Sequence, residues 1–314
     1  MPASSHASVL ITGANSGIGK EVARQFAESG SFDTIYLACR NHAKADAARA
    51  DLERTTAESI FTTVPLDTSD LGSVRAAVDL IQAPIESVVM NAGGTGGSTP
   101  LALTADGVTE VFAANVLGHA ALLERLIAAG ALTGSAVLVG SEAARGVPKL
   151  GLPRPDFAEH SVDEFASVID GSFFAGGKVD TAVAYGQVKY LGALWMSELA
   201  RRNPQLRLVT VSPGNTAGTD VFRDLGRVVT PLMNRILMPY VLPRFGLAHP
   251  LDAGVRRLVD ATVLTDLDSG KFYASAAKTL TGPLVDQAGI IADFADPTIQ
   301  ANAYEAVHRF LAAC

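Results

Sequence analysis

The chain has 314 residues, 48% hydrophobic and 18% charged, so it can bury a sizeable core in one large α/β domain or two small ones. Its net charge of -7 and the lack of a basic run argue against nucleic acid as the main partner. Only Cys39 and Cys314 are cysteines, and there is no secretory signal and no apolar run of the ~18 residues that a membrane span needs, so we expect a cytoplasmic protein without a transmembrane segment, disulfide framework or metal site.

Short apolar runs alternate with helical patterns along most of the chain. The alternation predicts an α/β fold built from βαβ units, with a parallel sheet, helices on both faces and a ligand site at the carboxyl ends of the strands. Right-handed crossovers are expected between the strands. The predicted strands are 9–11, 35–38, 61–66, 87–90, 136–139 and 206–211. The predicted helices are 20–27, 44–54, 71–81, 108–128 and 184–201.

A glycine-rich segment, residues 12–19, joins the first predicted strand to the first predicted helix. Gly13 permits a tight turn, Gly17 lets the backbone approach a diphosphate, and Gly19 allows close packing of helix against strand. The helix N-terminus offers N–H groups and its positive dipole end to phosphate. The spacing is G-x-x-x-G-x-G rather than G-x-G-x-x-G, and the alternative is a purely structural turn. We predict dinucleotide binding through Thr12, Gly13, Asn15, Ser16, Gly17, Ile18 and Gly19.

The next strand candidate ends in Ala38-Cys39 and is followed by Arg40. In a dinucleotide fold this strand end faces the adenosine ribose, where an acidic residue would bind the 2′-hydroxyl of NAD and repel a 2′-phosphate. Cys39 holds no charge, whereas Arg40 offers a fork of donors suited to phosphate. The alternative is that Arg40 is a solvated charge. We predict NADP(H) as the cofactor, with Arg40 and Asn41 among the binding residues.

Tyr185 and Lys189 stand four residues apart in a predicted helix, which places both side chains on one face. A free tyrosine has a pKa of ~10, and a nearby ammonium group lowers that pKa by favouring the phenolate. The phenol can then act as general acid toward a carbonyl or as general base toward an alcohol. The same spacing also occurs by chance on amphipathic helices. Together with a dinucleotide site, the pair suggests hydride transfer.

An insertion, residues 146–181, precedes the helix that carries this pair and is punctuated by proline and glycine. Within it, the pattern predicts a short helix over 161–169. Ser161 is its expected first residue. Asp163 and Glu164 lie in its first turn, where their negative charges interact favourably with the positive end of the helix dipole.

A second irregular region covers residues 219–250. Its apolar part, 228–242, is interrupted by Pro231, Pro239 and Pro243 and is too broken to span a bilayer. A substrate lid, an oligomer contact and a membrane-surface patch are the three interpretations. We favour the lid, because the region follows the last predicted strand near the cofactor site.

The chain resembles the short-chain dehydrogenase/reductase family over most of its length, because these motifs occur in the same order as in that family. The resemblance implies a Rossmann-type doubly wound parallel sheet of seven strands in a three-layer α/β/α single domain, 1–314. Segment 12–19 is similar to the family's cofactor turn. Further matches are an adenine contact, a fourth-strand motif, a catalytic tetrad and a nicotinamide-side loop. The adenine contact is Asp67, and the fourth-strand motif is Asn91, Ala92 and Gly93. The catalytic tetrad is Asn115, Ser141, Tyr185 and Lys189. The nicotinamide-side loop contains Pro213, Gly214 and Thr216.

The resemblance also implies roles for the tetrad. Tyr185 would exchange a proton with the substrate oxygen. Lys189 would lower the pKa of Tyr185 and hold the hydroxyls of the nicotinamide ribose. Ser141 would hydrogen-bond the substrate oxygen, and Asn115 would hold a water that links Lys189 to solvent.

Within the family, the chain departs from the simplest members. Ser141 and Tyr185 are 44 positions apart, much wider than in the family's shortest form. Two branches of the family carry an insertion here, the monomeric carbonyl reductases and the light-dependent protochlorophyllide reductases. Segments 168–178, 213–223 and 269–273 resemble the protochlorophyllide reductase branch, but the cysteine that this branch places in the insertion is missing. The chain therefore resembles the protochlorophyllide reductase group, and we expect it to be a relative of that group that acts on a different substrate.

These observations lead to one expected function and two alternatives. The first is reversible reduction of a ketone or aldehyde group of a bulky apolar substrate by NADPH. The Arg40 that follows Ala38-Cys39 also resembles the corresponding residue of retinol-dehydrogenase-like members of the family. The second is reduction of a C=C bond in a tetrapyrrole-like or other conjugated ring. The third is a catalytically retired NADP(H) sensor or scaffold. The insertion is expected to block a face used for assembly in simpler relatives, which leaves monomer and homo-oligomer open.

Overall fold

Eight strands form one sheet in the part of the chain that the computed structural model describes, residues 7–81, 84–97, 99–175, 180–216 and 247–311. The strands are β1 Ser8–Thr12, β2 Thr34–Cys39, β3 Phe61–Pro65, β4 Ile85–Met90, β5 Leu132–Val139, β6 Arg207–Val211, β7 Phe272–Ser275 and β8 Leu284–Asp286. Their order is β3-β2-β1-β4-β5-β6-β7-β8, parallel except for β8. The order reverses between β1 and β4, and ligands of such folds bind in the crevice at that point.

Helices cover both faces of this sheet. They are α1 Gly17–Ser29, α2 His42–Thr56, α3 Leu71–Leu80, α4 Glu110–Ala128, α5 Val162–Asp170, α6 Thr181–Arg202, α7 Leu251–Val263 and α8 Pro297–Leu311. One buried apolar cluster joins the sheet to α1, α2 and α7, and a second joins its other face to α3, α4, α5, α6 and α8. Because helices cover both faces, β1 and β4 are apolar runs rather than alternating patterns, as is typical of parallel sheets. The predicted three-layer α/β/α fold is confirmed.

The predicted strands and helices between residues 9 and 211 are all present, with ends that shift by up to four residues. The implied seven-stranded sheet is wrong for the described residues, because β8 adds an antiparallel edge strand. This strand has only three residues, each partly exposed, and therefore leaves no clear periodic pattern in the sequence. The structure also contains α7 and α8, for which the sequence pattern gave no prediction.

Helix α5 begins as the sequence predicts. The Ser161 hydroxyl caps it by accepting a hydrogen bond from the Glu164 N–H at 3.2 Å. The Glu164 carboxylate in turn accepts the N–H groups of Ala158, Glu159 and His160, which fixes the chain before the helix. Helix α5 packs on α6 and α8. The described part of the insertion is therefore built onto the helix that carries Tyr185.

The predicted lid, 219–250, lies outside the described residues except for 247–250. In the part of the chain that is described, α4 is the one helix long and apolar enough to cross a membrane by length and composition. Its apolar window is 72% buried inside the fold. The hydropathy of α4 therefore matches its position as a core helix on the sheet.

Candidate active site

The glycine-rich segment has the backbone geometry that its sequence predicts. Gly13 and Gly17 adopt positive φ angles of 68° and 52°, which L side chains rarely adopt. The Gly13 N–H donates to the Ala38 carbonyl at 2.8 Å, which holds the turn against β2. A Cβ on Gly19 would lie 2.5 Å from both the Gly13 oxygen and the Asn91 side-chain nitrogen, so only glycine permits this close packing.

The N-terminus of α1 fits a diphosphate. Ser16 is the capping residue, but its side chain makes no capping hydrogen bond to the first turn of the helix. The first-turn N–H groups therefore lack the side-chain partner that usually satisfies them, and such a helix end favours an anion. The predicted dinucleotide site is compatible with the turn that the structure contains.

Asn91 and Ala92 bind the glycine turn through Thr12. Their N–H groups both donate to the Thr12 hydroxyl, at 2.9 and 2.8 Å, and the Asn91 side-chain amide donates to the Thr12 carbonyl at 2.9 Å. Because its oxygen already accepts two hydrogen bonds, the Thr12 hydroxyl directs its proton to Nε2 of His119, 2.9 Å away. The turn, the end of β4 and α4 are thus joined.

His119 is a residue of this region that the sequence reasoning missed. It is fully buried, and burial lowers its pKa to about 4, so the imidazole is neutral near pH 7. Since Nε2 accepts from Thr12, Nδ1 carries the proton and donates to the Asn115 carbonyl at 3.1 Å. The signal in the sequence is its position four residues after Asn115 on a helix.

We expect a pH-dependent cost for His119→Gln. The unfolded chain protonates this histidine near its ordinary pKa of ~6.5 and the folded chain only near 4, so His119 costs the wild type stability as pH falls through that window. Loss of its buried hydrogen bonds should lower the free energy of unfolding by about 1–3 kcal/mol near pH 7.5. Urea unfolding at two pH values checks this, and the difference between variant and wild type should shrink near pH ~5. A difference that is equal at both pH values would contradict the neutral, buried imidazole.

Asn115 lies in a π-type turn, Ala113–Leu117, inside α4. Its side-chain amide donates to the carbonyls of Gly94 and Val111 at 2.8 and 2.7 Å, and its oxygen accepts from the Gly94 N–H at 3.2 Å. Gly93 is required beside it, because a Cβ there would overlap the Asn115 side-chain oxygen. Both side-chain N–H donors of Asn115 are therefore used in the structure, and its side-chain oxygen already accepts one hydrogen bond. The main-chain carbonyl of Asn115 lies next to His119 Nδ1, at 3.1 Å.

Tyr185, Ser141 and Lys189 lie together at the end of β5. Tyr185 and Ser141 are neighbours, and the Ser141 hydroxyl acts to lower the pKa of the Tyr185 phenol. The Lys189 ammonium lies 5.6 Å from the centre of the Tyr185 ring and donates to the Val139 carbonyl at 2.8 Å. Burial lowers the pKa of Lys189 to about 8, so the side chain is mostly charged near pH 7.

The predicted lowering of the pKa of Tyr185 is wrong for this structure. Burial raises the pKa of Tyr185 to about 12, the hydrogen bond from Ser141 opposes that rise, and the negative charge of Glu142 adds to it. The Lys189 ammonium is directed at the Val139 carbonyl instead of at the phenol oxygen. Spacing on a helix predicted that the two side chains are neighbours, but it could not predict their burial.

The adenosine side of the predicted site is polar and open. The Arg40 side chain is 75% exposed, and its Nε lies 3.7 Å from the Asp67 carboxylate. Cys39 is buried, which raises the pKa of its thiol to about 11 and leaves no charge at the end of β2. The Asn41 side chain caps α2 by accepting from the Lys44 N–H at 2.9 Å. Arg40 is thus free to reach a phosphate, whereas the Asn41 oxygen already has a partner.

The loop after β6 completes this edge of the sheet. Gly214 has a positive φ of 77°, and its N–H donates to the Ser212 hydroxyl at 3.0 Å. The Thr216 hydroxyl donates to the Pro213 carbonyl at 3.0 Å. Beneath the loop lies Glu142, a buried carboxylate directly after Ser141 that the sequence reasoning also missed. The described residues contain no group of three or more His, Cys, Asp or Glu side chains placed to hold a metal ion.

Comparison with known proteins shows which family the chain resembles in sequence. Residues 7–152 match the sequence profile described as short chain dehydrogenase. The chain is 32% identical to the WW domain-containing oxidoreductase of Drosophila melanogaster, over 68% of this chain and 50% of that protein. It is 34% identical to protochlorophyllide reductase B of Hordeum vulgare, over 68% of this chain and 58% of that protein. The chain thus spans between half and three fifths of the length of these relatives.

The fold also matches solved structures. Salutaridine reductase from Papaver somniferum superposes with a TM-score of 0.61 at 18% identity, covering 86% of this chain and 100% of that one. At that identity the match concerns the fold alone. The Rossmann-type fold and the sequence relatives point to the same class of protein. The chain belongs to the short-chain dehydrogenase/reductase family.

Proposed function

We propose that the protein is an NADP(H)-dependent oxidoreductase that transfers hydride between the nicotinamide and a carbonyl or alcohol carbon of a bulky apolar substrate. The observation that carries this proposal is that the Tyr185 phenol, the Ser141 hydroxyl and the Lys189 ammonium lie together, with Lys189 Nζ 5.6 Å from the centre of the Tyr185 ring. These three groups lie at the carboxyl edge of the sheet that also bears the glycine turn and the Gly214 loop.

NADPH would supply the hydride. Tyr185, protonated at neutral pH because its pKa is about 12, would hold the proton for a substrate oxygen. The Ser141 hydroxyl would hold that oxygen in place beside the phenol. Lys189 uses one of its three donors on the Val139 carbonyl, which leaves two for the nicotinamide ribose hydroxyls. Burial of the site strengthens each of these electrostatic interactions.

The preference for NADP(H) over NAD(H) is supported by the charges at the end of β2. Arg40 is exposed and positive, and the neighbouring Cys39 is neutral. A guanidinium binds a 2′-phosphate through charge-assisted hydrogen bonds, which contribute about 1.5–3 kcal/mol each. The Asp67 carboxylate lies 3.7 Å from Arg40 Nε, but a solvent-exposed ion pair of this kind is weak, so the Arg40 charge stays available to a phosphate.

We expect Arg40→Met to weaken NADPH binding by about 10- to 100-fold and to leave NADH binding unchanged, because the phosphate contact is lost. Fluorescence titration with each nucleotide measures the two Kd values. Arg54→Met is the matched control, because Arg54 is an equally exposed arginine that pairs with Asp51 on α2. Equal losses for both nucleotides would argue against a 2′-phosphate contact at Arg40.

A bulky apolar substrate is supported by the apolar sequence of 228–242, which lies outside the described residues. A second candidate is reduction of a C=C bond in a conjugated ring. It is favoured by the 34% identity to protochlorophyllide reductase B of Hordeum vulgare. Both reactions would use the same hydroxyl groups and cofactor. They differ in which substrate carbon receives the hydride.

Loss of NADPH absorbance across a panel of apolar aldehydes and ketones tests the proposal. Turnover of one class of carbonyl substrate, lost in Tyr185→Phe, is the expected result. A parallel assay with a conjugated tetrapyrrole, in light and in darkness, detects the second candidate. Tight NADPH binding without turnover of any compound in either panel would favour a retired sensor or scaffold and would overturn the proposal.

A further inference from the structure

We propose that Glu142 is a positioning residue that ties the Ser141 segment to the Pro213-Gly214 loop, so that the proton site and the nicotinamide side are held at a constant distance. The inference rests on the proposed function, since it concerns how that site is assembled. The Glu142 carboxylate is directed toward Ser212 and Ser275. Glu142 acts through the residues that its carboxylate holds.

The Glu142 carboxylate is buried, and three hydrogen bonds from two different strand ends converge on it. Its Oε2 accepts the Ser212 hydroxyl at 2.6 Å, at the end of β6. Its Oε1 accepts the Ser275 hydroxyl at 2.8 Å and the Ser275 N–H at 3.1 Å, at the end of β7. Since Glu142 itself follows β5, one carboxylate joins the ends of three neighbouring parallel strands.

The bond to Ser212 continues to the nicotinamide-side loop. The Ser212 hydroxyl donates its proton to Glu142, and its oxygen accepts the Gly214 N–H at 3.0 Å. Gly214 has a positive φ of 77°, which glycine adopts without strain, and the hydrogen bond from its N–H fixes the loop in this conformation. Hence a two-step hydrogen-bond path runs from the residue beside Ser141 to Gly214. Movement of either loop away from the other would break it.

The charge of Glu142 is balanced by Arg257 of α7. Its Nη1 lies 3.9 Å from Glu142 Oε1 and donates to the Ser212 carbonyl at 3.2 Å. Arg257 also donates to the Ser275 hydroxyl at 3.2 Å and to the Gly282 carbonyl. A buried ion pair contributes little net stability compared with apolar side chains of the same volume. Stability therefore does not account for Glu142 and Arg257 here, whereas a role in positioning the two loops does.

The charge of Glu142 also acts on the proton site. The titratable and charged groups that interact with it come from its own segment, from the loop before α7, from α7 and from α6. They are Arg145, His249, Arg257 and Tyr185, with Lys189 one helical turn beyond Tyr185. Its negative charge disfavours the phenolate of Tyr185 and so raises the pKa of that phenol. Removing the charge while keeping the side-chain volume should therefore lower the pKa of Tyr185.

Two variants separate the charge from the hydrogen-bond path. Glu142→Gln removes the charge, and Ser212→Ala removes the path to Gly214 while the carboxylate remains. In both, we expect kcat for NADPH-dependent reduction to fall by up to about 10²-fold, the scale expected for misplaced reacting groups, with a smaller change in substrate KM. Only in Glu142→Gln should the alkaline limb of the pH–rate profile move to lower pH. Ser135→Ala, a buried serine elsewhere in β5, is the matched control and should behave as wild type.

A readout that needs no turnover is hydrogen exchange of the Gly214 amide, followed by NMR. Faster exchange of this amide in Ser212→Ala and Glu142→Gln, without a matching loss of global stability, is the expected result. If Glu142→Gln fails to fold because Arg257 loses its partner, Ser212→Ala still tests the path.

Wild-type exchange at Gly214 and wild-type kcat in Ser212→Ala would overturn the proposal. So would an unchanged pH profile in a folded Glu142→Gln variant. If Tyr185→Phe abolishes turnover in the same assays, such results would contradict the role of Glu142 and leave the proposed function in place. If no carbonyl substrate is turned over by the wild type, the proposed function fails, and the exchange data alone decide whether Glu142 ties the two loops.

Discussion

Replacing Tyr185 by phenylalanine is expected to lower kcat by about 10²- to 10⁴-fold, the range that a general acid or base contributes. Tyr185 is partly buried and the pKa of its phenol is about 12, so at neutral pH it holds a proton that phenylalanine lacks. The ring is retained in the variant, and only the phenol hydroxyl is lost. The Kd for NADPH should therefore change little. Steady-state kinetics and NADPH fluorescence titration measure the two quantities.

Tyr190→Phe is the control for this variant. Tyr190 lies on the same helix, is buried with only 2% of its surface exposed, and donates its hydroxyl proton to Asp293 at 2.9 Å. Its loss should reduce stability by about 1–3 kcal/mol, because a hydrogen bond to a carboxylate is broken, and should leave kcat unchanged. Full activity in Tyr185→Phe, or equal loss of activity in both variants, would remove the proton-donor role from Tyr185.

Gly19→Ala is expected to weaken NADPH binding by about 10- to 100-fold. The added Cβ would lie 2.5 Å from the Gly13 carbonyl oxygen, which is backbone and cannot move away without changing the turn. Overpacking of this kind typically costs about 1–3 kcal/mol, and each 1.4 kcal/mol corresponds to about tenfold in affinity. The strain should be relieved by moving the start of α1 away from the diphosphate. Fluorescence titration with NADPH, together with thermal unfolding, checks this.

Gly30→Ala provides the comparison at the other end of α1. Gly30 also has a positive φ, 63°, but a Cβ there meets no atom within 4 Å. Alanine should therefore cost about 1 kcal/mol of stability through backbone strain alone, with no change in NADPH affinity. If Gly19→Ala and Gly30→Ala weakened nucleotide binding to the same degree, the effect would be one of general destabilisation. The glycine turn would then have no special part in binding.

These predictions depend on contacts that join the cofactor turn to the proton site. Thr12 binds the end of β4 and also His119, and His119 binds the Asn115 carbonyl. On the other side, Glu142 joins the segment after Ser141 to the loop that holds Gly214. A change at one edge of the site can therefore affect the other edge without touching any bound molecule.

Sequence alone was sufficient for the α/β fold and for much of the site. In a parallel sheet the carboxyl ends of the strands meet at one edge, so residues that follow successive apolar runs are expected to converge there. This logic placed the glycine turn, Arg40, Asp67, Asn91 and Ser141 at the same edge, and the structure agrees. Helical spacing similarly placed Tyr185 beside Lys189. The cap of α5 at Ser161 was also predicted from local residue types.

Only the tertiary structure revealed His119, Glu142 and the raised pKa of Tyr185. The bond from Thr12 to His119 joins residues 107 positions apart, and the bonds from Ser275 to Glu142 span 133 positions. Periodicity and capping are properties of a few neighbouring residues, so they cannot indicate which distant polar group meets a given side chain. The surroundings of Tyr185 likewise depend on helices and loops from several parts of the chain. Because the pKa of its phenol depends on those surroundings, neighbouring residues in the sequence do not predict it.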